Sequence, residues 1–175
     1  MRAIRERVET NGGLTVMLPT EDSLFVCEEL QRRFALPFWQ LTVSATDANR
    51  DLLRICRQVQ RRPYVLVFSY CYHGTVDEAQ IIIDAAGRPA LVVGNPDGPV
   101  DPTVTSKVVE FNDLDALDEA LRPRDVACLL MEPALTNIGI VLPEPGYLDE
   151  VRRLCDESDT LLVMDETHTW CAGPS

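Results

Sequence analysis

Apolar residues along this chain fall into two kinds of segment, and the two alternate. Short runs dominated by Val, Leu and Phe occupy residues 38–43, 64–69, 107–111, 126–131 and 160–165. Their near-continuous hydrophobicity predicts strands buried on both faces. Other segments follow a helical period. Residues 47–60 set Ala48, Leu52, Ile55 and Val59 at spacings of three and four, which predicts one apolar helix face. Residues 114–121 repeat the pattern with Leu114, Leu117 and Leu121, and residues 147–155 with Leu148, Val151 and Cys155. Pro145 stands where that last helix would begin. Upstream, Thr20 is a good N-cap for a helix over 21–34, with Glu21 and Asp22 complementing its positive end. Residues 71–102 carry several Gly and Pro and are expected to run over the surface. Strands of this kind alternating with helices predict an α/β fold, a mainly parallel sheet with helices on both faces.

Composition narrows the function. The chain has 175 residues, 46% hydrophobic and 25% charged, which suits a soluble domain with a core. No apolar run approaches the roughly 18 residues that would span a bilayer, so no membrane partner is expected. The charged start MRAIRERVETNGG argues against a secretory signal and for a cytoplasmic location. A net charge of -12 without a basic stripe excludes nucleic acid as a natural partner. The six cysteines form no C-x-x-C pair and lie mostly in apolar segments, the pattern of reduced core thiols. Of sixteen basic residues fifteen are arginine, so Lys107 is the sole lysine.

Four short motifs carry candidate chemistry. SATDAN, residues 44–49, opens a predicted helix; its small residues and Thr46 suit either an anion at the helix end or simple capping. Tyr72-His73-Gly74 follows the strand over 64–69 and offers an aromatic plate beside an imidazole. Glu132-Pro133, with Asn137 five residues after the acid, follows the strand over 126–131. Asp165 ends LLVMD, where open α/β sheets bind ligands, or merely caps the next turn. A Walker-type role fails because no G-x-x-x-x-G-K-[ST] exists. No metal site is expected, since His73 and His168 share no ligand spacing. Read jointly, each motif sits at the carboxyl end of a separate predicted strand. Together they supply an anion cradle, an aromatic plate, hydrogen-bonding groups and a buried carboxylate, the set a flat, phosphorylated, protonated heterocycle needs.

The order SATDAN, YHG, EPALTN, LLVMDET resembles the class III aminotransferases, and within them the glutamate-1-semialdehyde aminomutase-like branch. PFWQ at 37–40, EFND at 110–113 and PEPG at 143–146 support the likeness, which covers about residues 17–175. It implies part of the large domain of a fold-type I pyridoxal-phosphate-dependent transferase: an N-terminal helical segment over 1–36, then part of the cofactor domain over 37–175, with the small C-terminal domain absent. The cofactor implied is pyridoxal 5'-phosphate. By the same likeness Ala45, standing where the family usually has glycine, and Thr46 lie at its phosphate, and Tyr72 stacks on its ring with His73 beside it. Asn137 approaches the ring hydroxyl and Glu132 supports that side. Asp165 pairs with the ring nitrogen, and Thr167, where the family often has valine, covers the opposite face.

The family's Schiff-base lysine belongs a few tens of residues past the D-E-T motif, and Lys107 precedes it in a predicted strand as a solvated strand-end residue. The resemblance therefore implies amino-group transfer, by a transaminase or aminomutase, in a chain truncated before its catalytic lysine and inactive alone. Small-molecule amino donors and acceptors and, for the full-length enzyme, a homodimer are the partners it implies. The alternative reading is a folded, non-catalytic binding or interaction module derived from such an enzyme.

Overall fold

Six consecutive apolar residues, Val126–Met131, form β5, and all six are buried. A strand buried residue by residue is covered on both faces, so it lies inside a layered structure rather than on its surface. The computed structural model describes residues 1–13, 19–92 and 101–172. The chain divides into two units, Met1–Ser44 and Ala45–Ser175. Among the described residues no helix is long and apolar enough to cross a membrane.

The first unit holds α1 (Arg2–Asn11) and α2 (Glu21–Phe34), joined by an Arg7–Asp22 ion pair. The sequence expectation for α2 holds to the residue. Thr20 Oγ1 accepts from the Ser23 amide at 3.2 Å, and the Thr20 amide donates back to Ser23 Oγ at 3.4 Å. This reciprocal box satisfies two amides that a helix start leaves without partners. Thr20→Ala is expected to cost about 1 kcal/mol of helix stability, read as reduced far-UV helicity and an earlier melt of that signal; no change would mean the cap is idle.

The strand expected over 38–43 does not form. Phe38 and Val43 are 90% and 82% exposed, and no described strand pairs with this segment. Its side chains bond locally instead: Trp39 Nε1 to Leu36 O at 2.9 Å, and Thr42 Oγ1 to Ser44 O at 2.9 Å. A strand needs a neighbour for its backbone groups, and an apolar run carries no information about whether one is available.

The second unit is built on a four-stranded parallel sheet, ordered β4-β1-β5-β6. Its strands are β1 (Tyr64–Phe68), β4 (Ser106–Val109), β5 and β6 (Leu161–Met164). Register pairs Val67 with Val108, Leu66 with Leu129, and Leu130 with Val163. The helix α3 (Ala45–Gln60) packs on β5; α4 (Leu114–Leu121) and α5 (Tyr147–Ser158) pack on each other and against β4 and β6. In α4 and α5 the expected Leu117, Leu121, Val151 and Cys155 are buried, although Leu148 is exposed; α3 instead buries Asn49, Leu53 and Cys56 and leaves Ile55 and Val59 of its expected face exposed. At one end of the core Phe68, Phe111 and Tyr147 form an aromatic cluster, with Phe68 and Phe111 edge to face at 5.2 Å.

Winding reverses at β1. The chain goes from β1 to β4 on one side, then returns past β1 to lay down β5 and β6 on the other. Such a reversal opens the space beyond the carboxyl ends of the central strands.

The stretch after β1 is also more ordered than its Gly and Pro content implied. A 3-10 turn at Asp77–Ala79 leads into an antiparallel hairpin of β2 (Ile81–Ile83) and β3 (Pro89–Leu91). Val76, Ala79, Ile81 and Ile82 are buried, so this stretch closes part of the core. The turn is made by Asp84, whose Oδ1 accepts from the amides of Ala86 and Arg88, both at 2.9 Å. The Ile83 amide donates to Ser69 Oγ at 3.1 Å and ties the hairpin to the end of β1. Within the rest of that expectation, residues 93–100 lie outside the described residues.

Candidate functional site

Asp165 follows β6 directly, and its amide donates to Met131 O at 2.7 Å, which anchors it to the end of β5. Four donors hold its carboxylate. Oδ2 accepts from Asn49 Nδ2 and lies against His73 Nδ1, both at 2.9 Å. Oδ1 accepts from the Thr167 amide at 3.1 Å and from Thr167 Oγ1 at 2.6 Å. Burial alone would push the carboxyl up, but the bonds from His73, Thr167 and Asn49 outweigh it and hold the group well below the usual carboxylate range.

His73 is the buried half of the pair, its side chain wholly shielded from solvent. Burial opposes charging of the ring, yet the Asp165 carboxylate, helped by the nearby Cys71 sulfur, carries the imidazole up to about 9. Because an ionised carboxylate only accepts, Nδ1 carries the proton shared with Asp165. Nε2 has no hydrogen-bond partner; the Cys71 sulfur favours the charged ring without satisfying that nitrogen.

Asn49, which sequence reasoning left without a role, is 7% exposed and uses its amide twice, on Asp165 and on His73 O at 3.2 Å. One signal could have found it. It stands four and seven residues before the apolar Leu53 and Cys56, on one helix face, and a polar residue at such a position needs buried partners.

Ala45 and Thr46 form the first turn of α3, so Thr46 lies inside the helix and is not its N-cap. Thr46 Oγ1 accepts from the Thr75 amide at 3.3 Å. Gly74 has φ 78°, and a Cβ there would sit 2.0 Å from Thr46 Oγ1, so the loop after β1 can lie against α3 only with glycine at this position. The SATDAN motif therefore does not follow a strand. It is brought to the site by this loop contact, whereas the other three motifs leave the carboxyl ends of β1, β5 and β6 as expected.

Glu132, 5% exposed, ties two of those loops together. Its Oε1 accepts from the Tyr72 amide at 3.1 Å, and its Oε2 from the Thr136 amide at 3.0 Å and Thr136 Oγ1 at 2.6 Å. Thr136 Oγ1 in turn meets His168 Nδ1 at 2.6 Å. Neither Thr136 nor His168 had a role in the sequence reading; only the fold brings residues 32 apart into one chain of bonds. Tyr72 itself is half exposed, and Asn137 Nδ2 reaches Tyr70 O at 3.5 Å. Tyr72, His73, Glu132, Asn137, Asp165 and Thr167 thus belong to neighbouring loops at one end of the sheet, with Thr46 in the first turn of α3 against one of them.

Lys107 is elsewhere. Its Nζ donates to Ala120 O at 3.0 Å and Asp125 Oδ1 at 2.5 Å, and it lies over the Tyr64 ring at 5.2 Å. Asp125 immediately precedes β5, so this ammonium is held at the amino ends of the strands, away from Asp165. The expected solvated lysine is instead a pinned one, 23% exposed.

The chain is 31% identical over 97% of its length to glutamate-1-semialdehyde 2,1-aminomutase of Methanocaldococcus jannaschii and covers 40% of that protein. It superposes on a glutamate-1-semialdehyde-aminomutase from Pseudomonas aeruginosa PAO1 with a TM-score of 0.92 and 50% identity, covering 99% of this chain and 38% of the other. A transaminase with PLP bound matches 98% of this chain and 41% of its own, with a TM-score of 0.79 and 29% identity. The chain therefore spans about two fifths of the length of these relatives. The family model for aminotransferase class-III matches residues 3–173, and with the sheet and its terminal loops arranged as described, the chain belongs to the class-III aminotransferase family.

Proposed function

We propose that residues 45–175 supply the pyridoxal-phosphate-binding part of an enzyme that transfers amino groups between small molecules, a transaminase or aminomutase. The observation that carries this reading is Asp165, a carboxylate kept ionised by four donors at the carboxyl end of a parallel strand. A protonated ring nitrogen is the natural partner of such a group. When bound, the cofactor supplies an electron sink.

The residues of this chain fit that group. Asp165 would hold the ring nitrogen in its protonated form, with His73 and Asn49 fixing the orientation of the carboxylate. Tyr72, with its half-exposed ring, would stack on one face and Thr167 cover the other. The amides of Ala45 and Thr46 at the positive end of α3 would meet the phosphate, and Glu132 and Asn137 would line the side of the ring hydroxyl. Lys107, pinned by Asp125 at the far end of the strands, would form no Schiff base. The chain alone would therefore bind the cofactor without turnover, and the whole enzyme would act in the cytoplasm as a homodimer.

Equilibrium dialysis against pyridoxal phosphate tests the reading, followed by borohydride reduction and peptide mass mapping. The expected result is one-to-one retention, weakened tenfold or more in Asp165→Asn, because a charged hydrogen bond contributes roughly 1.5–3 kcal/mol. Lys107 is expected to stay unmodified. Absence of retention by the unaltered chain would overturn the cofactor assignment, and a stoichiometric adduct on Lys107 that supports turnover would overturn the inactivity.

A further inference from the structure

The bonds around Thr136 determine more than a loop conformation. A threonine hydroxyl has one proton, and Thr136 Oγ1 has two partners, each at 2.6 Å: Glu132 Oε2 and His168 Nδ1. The Glu132 carboxylate can only accept, and it already accepts a backbone amide on each oxygen, from Tyr72 and Thr136. The hydroxyl proton must therefore point at Glu132. Oγ1 is left with lone pairs facing His168, and the contact is a hydrogen bond only if Nδ1 carries a proton. In the neutral ring that leaves Nε2 bare. A histidine free in water favours the opposite form, with the proton on Nε2, so the relay inverts the ordinary tautomer.

We propose that Glu132 and Thr136 act as positioning residues that lock neutral His168 in the Nδ1–H form and make its Nε2 a hydrogen-bond acceptor for a ligand bearing a hydroxyl or ammonium proton. Three features support a ligand-directed role. Glu132 is 5% exposed whereas His168 is exposed, so the relay runs from the interior to the surface. Nε2 has no hydrogen-bond partner among the described residues. Finally, His168 stands three residues after Asp165 in the loop that leaves β6, and Thr136 four residues after Glu132 in the loop that leaves the neighbouring β5. The locked imidazole is thus part of the same loop cluster as the carboxylate assigned to the ring nitrogen. The tautomer does not depend on which ligand is bound. The acceptor role rests on the cofactor reading above.

Long-range 1H–15N correlation spectra test both parts on the intact chain, which has only two histidines to assign. In its neutral form, His168 is expected to show Nδ1 in the protonated region and Nε2 in the lone-pair region. Thr136→Val should reverse this preference and Thr136→Ser should restore it. A proton on Nε2 in the unaltered chain, or a Thr136→Val ring that keeps the Nδ1–H form, would overturn the relay; the first measurement needs no variant to fold. Added pyridoxal phosphate is then expected to move the Nε2 resonance toward the hydrogen-bonded range. Retention of pyridoxal phosphate with an unmoved Nε2 overturns the acceptor role. Absence of retention overturns that role together with the cofactor assignment, and the tautomer result stands apart from both.

Discussion

Asp165→Ala is expected to destabilise the chain by about 3 kcal/mol, because it leaves a buried imidazole without its carboxylate. The size of the loss should depend on pH, and the direction follows from the two shifts. His73 is raised from 6.5 to about 9 in the folded state, so its contribution is complete below 6.5 and disappears as pH rises toward 9. Asp165 is depressed from 3.8, so its contribution is complete above that value and disappears as pH falls below it. The unaltered chain is therefore ahead of the variant by most between about pH 4 and 6.5, and the gap narrows on either side. In the variant burial of His73 is opposed only by the Cys71 sulfur, its ring resists charging, and stability should rise with pH through the same range. Urea unfolding at a series of pH values measures the gap directly. A difference below about 1 kcal/mol, or one independent of pH, would show that the pair is not the coupled unit its geometry describes. Asp165→Asn should lie between the two, since the amide oxygen still accepts from His73 but carries no charge.

Phe68→Ala is expected to cost about 3–5 kcal/mol. Phe68 is wholly buried at the end of β1 and meets Phe111 at 5.2 Å and Tyr147 at 6.2 Å. Removing the ring leaves a cavity in the packed core, and it forfeits two aromatic contacts of roughly 0.5–1.5 kcal/mol each. Phe68→Leu keeps most of the volume and should cost under about 2 kcal/mol. The check is a shift of the urea midpoint at an unchanged slope. A loss near zero for the alanine variant would place the ring outside the packed core. Because β1 runs into the loop that carries Tyr72 and His73, the same variant should also loosen the site, which the His73 resonances would report.

The pattern of apolar residues was enough for the parallel sheet. β5 and α4 have their expected ends, and β1, β4 and β6 differ from expectation by a residue or two. These segments were legible because their partners are inevitable: a strand apolar on both faces must be covered on both, and α4 turns its one apolar face inward, whereas α3 leaves Ile55 and Val59 of its expected face exposed. Residues 38–43 and 71–92 were misread for one shared reason. Their states depend on a neighbour: among the described residues no strand pairs with the first, whereas Ser69 and the core supply one for the second, and local composition does not contain the neighbour.

The site divides in the same way. Asp165, Glu132 and the Tyr72-His73-Gly74 loop could be found from the sequence because each directly follows an apolar run, and strand ends are where an open sheet exposes polar groups. Tertiary structure decided the connections among them. It made Asn49 a double donor, joined Thr136 to His168, left only glycine able to fit at position 74, and confined Lys107 to the opposite end beside Asp125. Each of these is a contact across roughly 18 to 116 positions. Period and propensity extend only one or two turns along the chain, so residue types and strand ends were determined by the sequence, whereas the partner of each polar atom was decided only when the folded sheet brought the loops together.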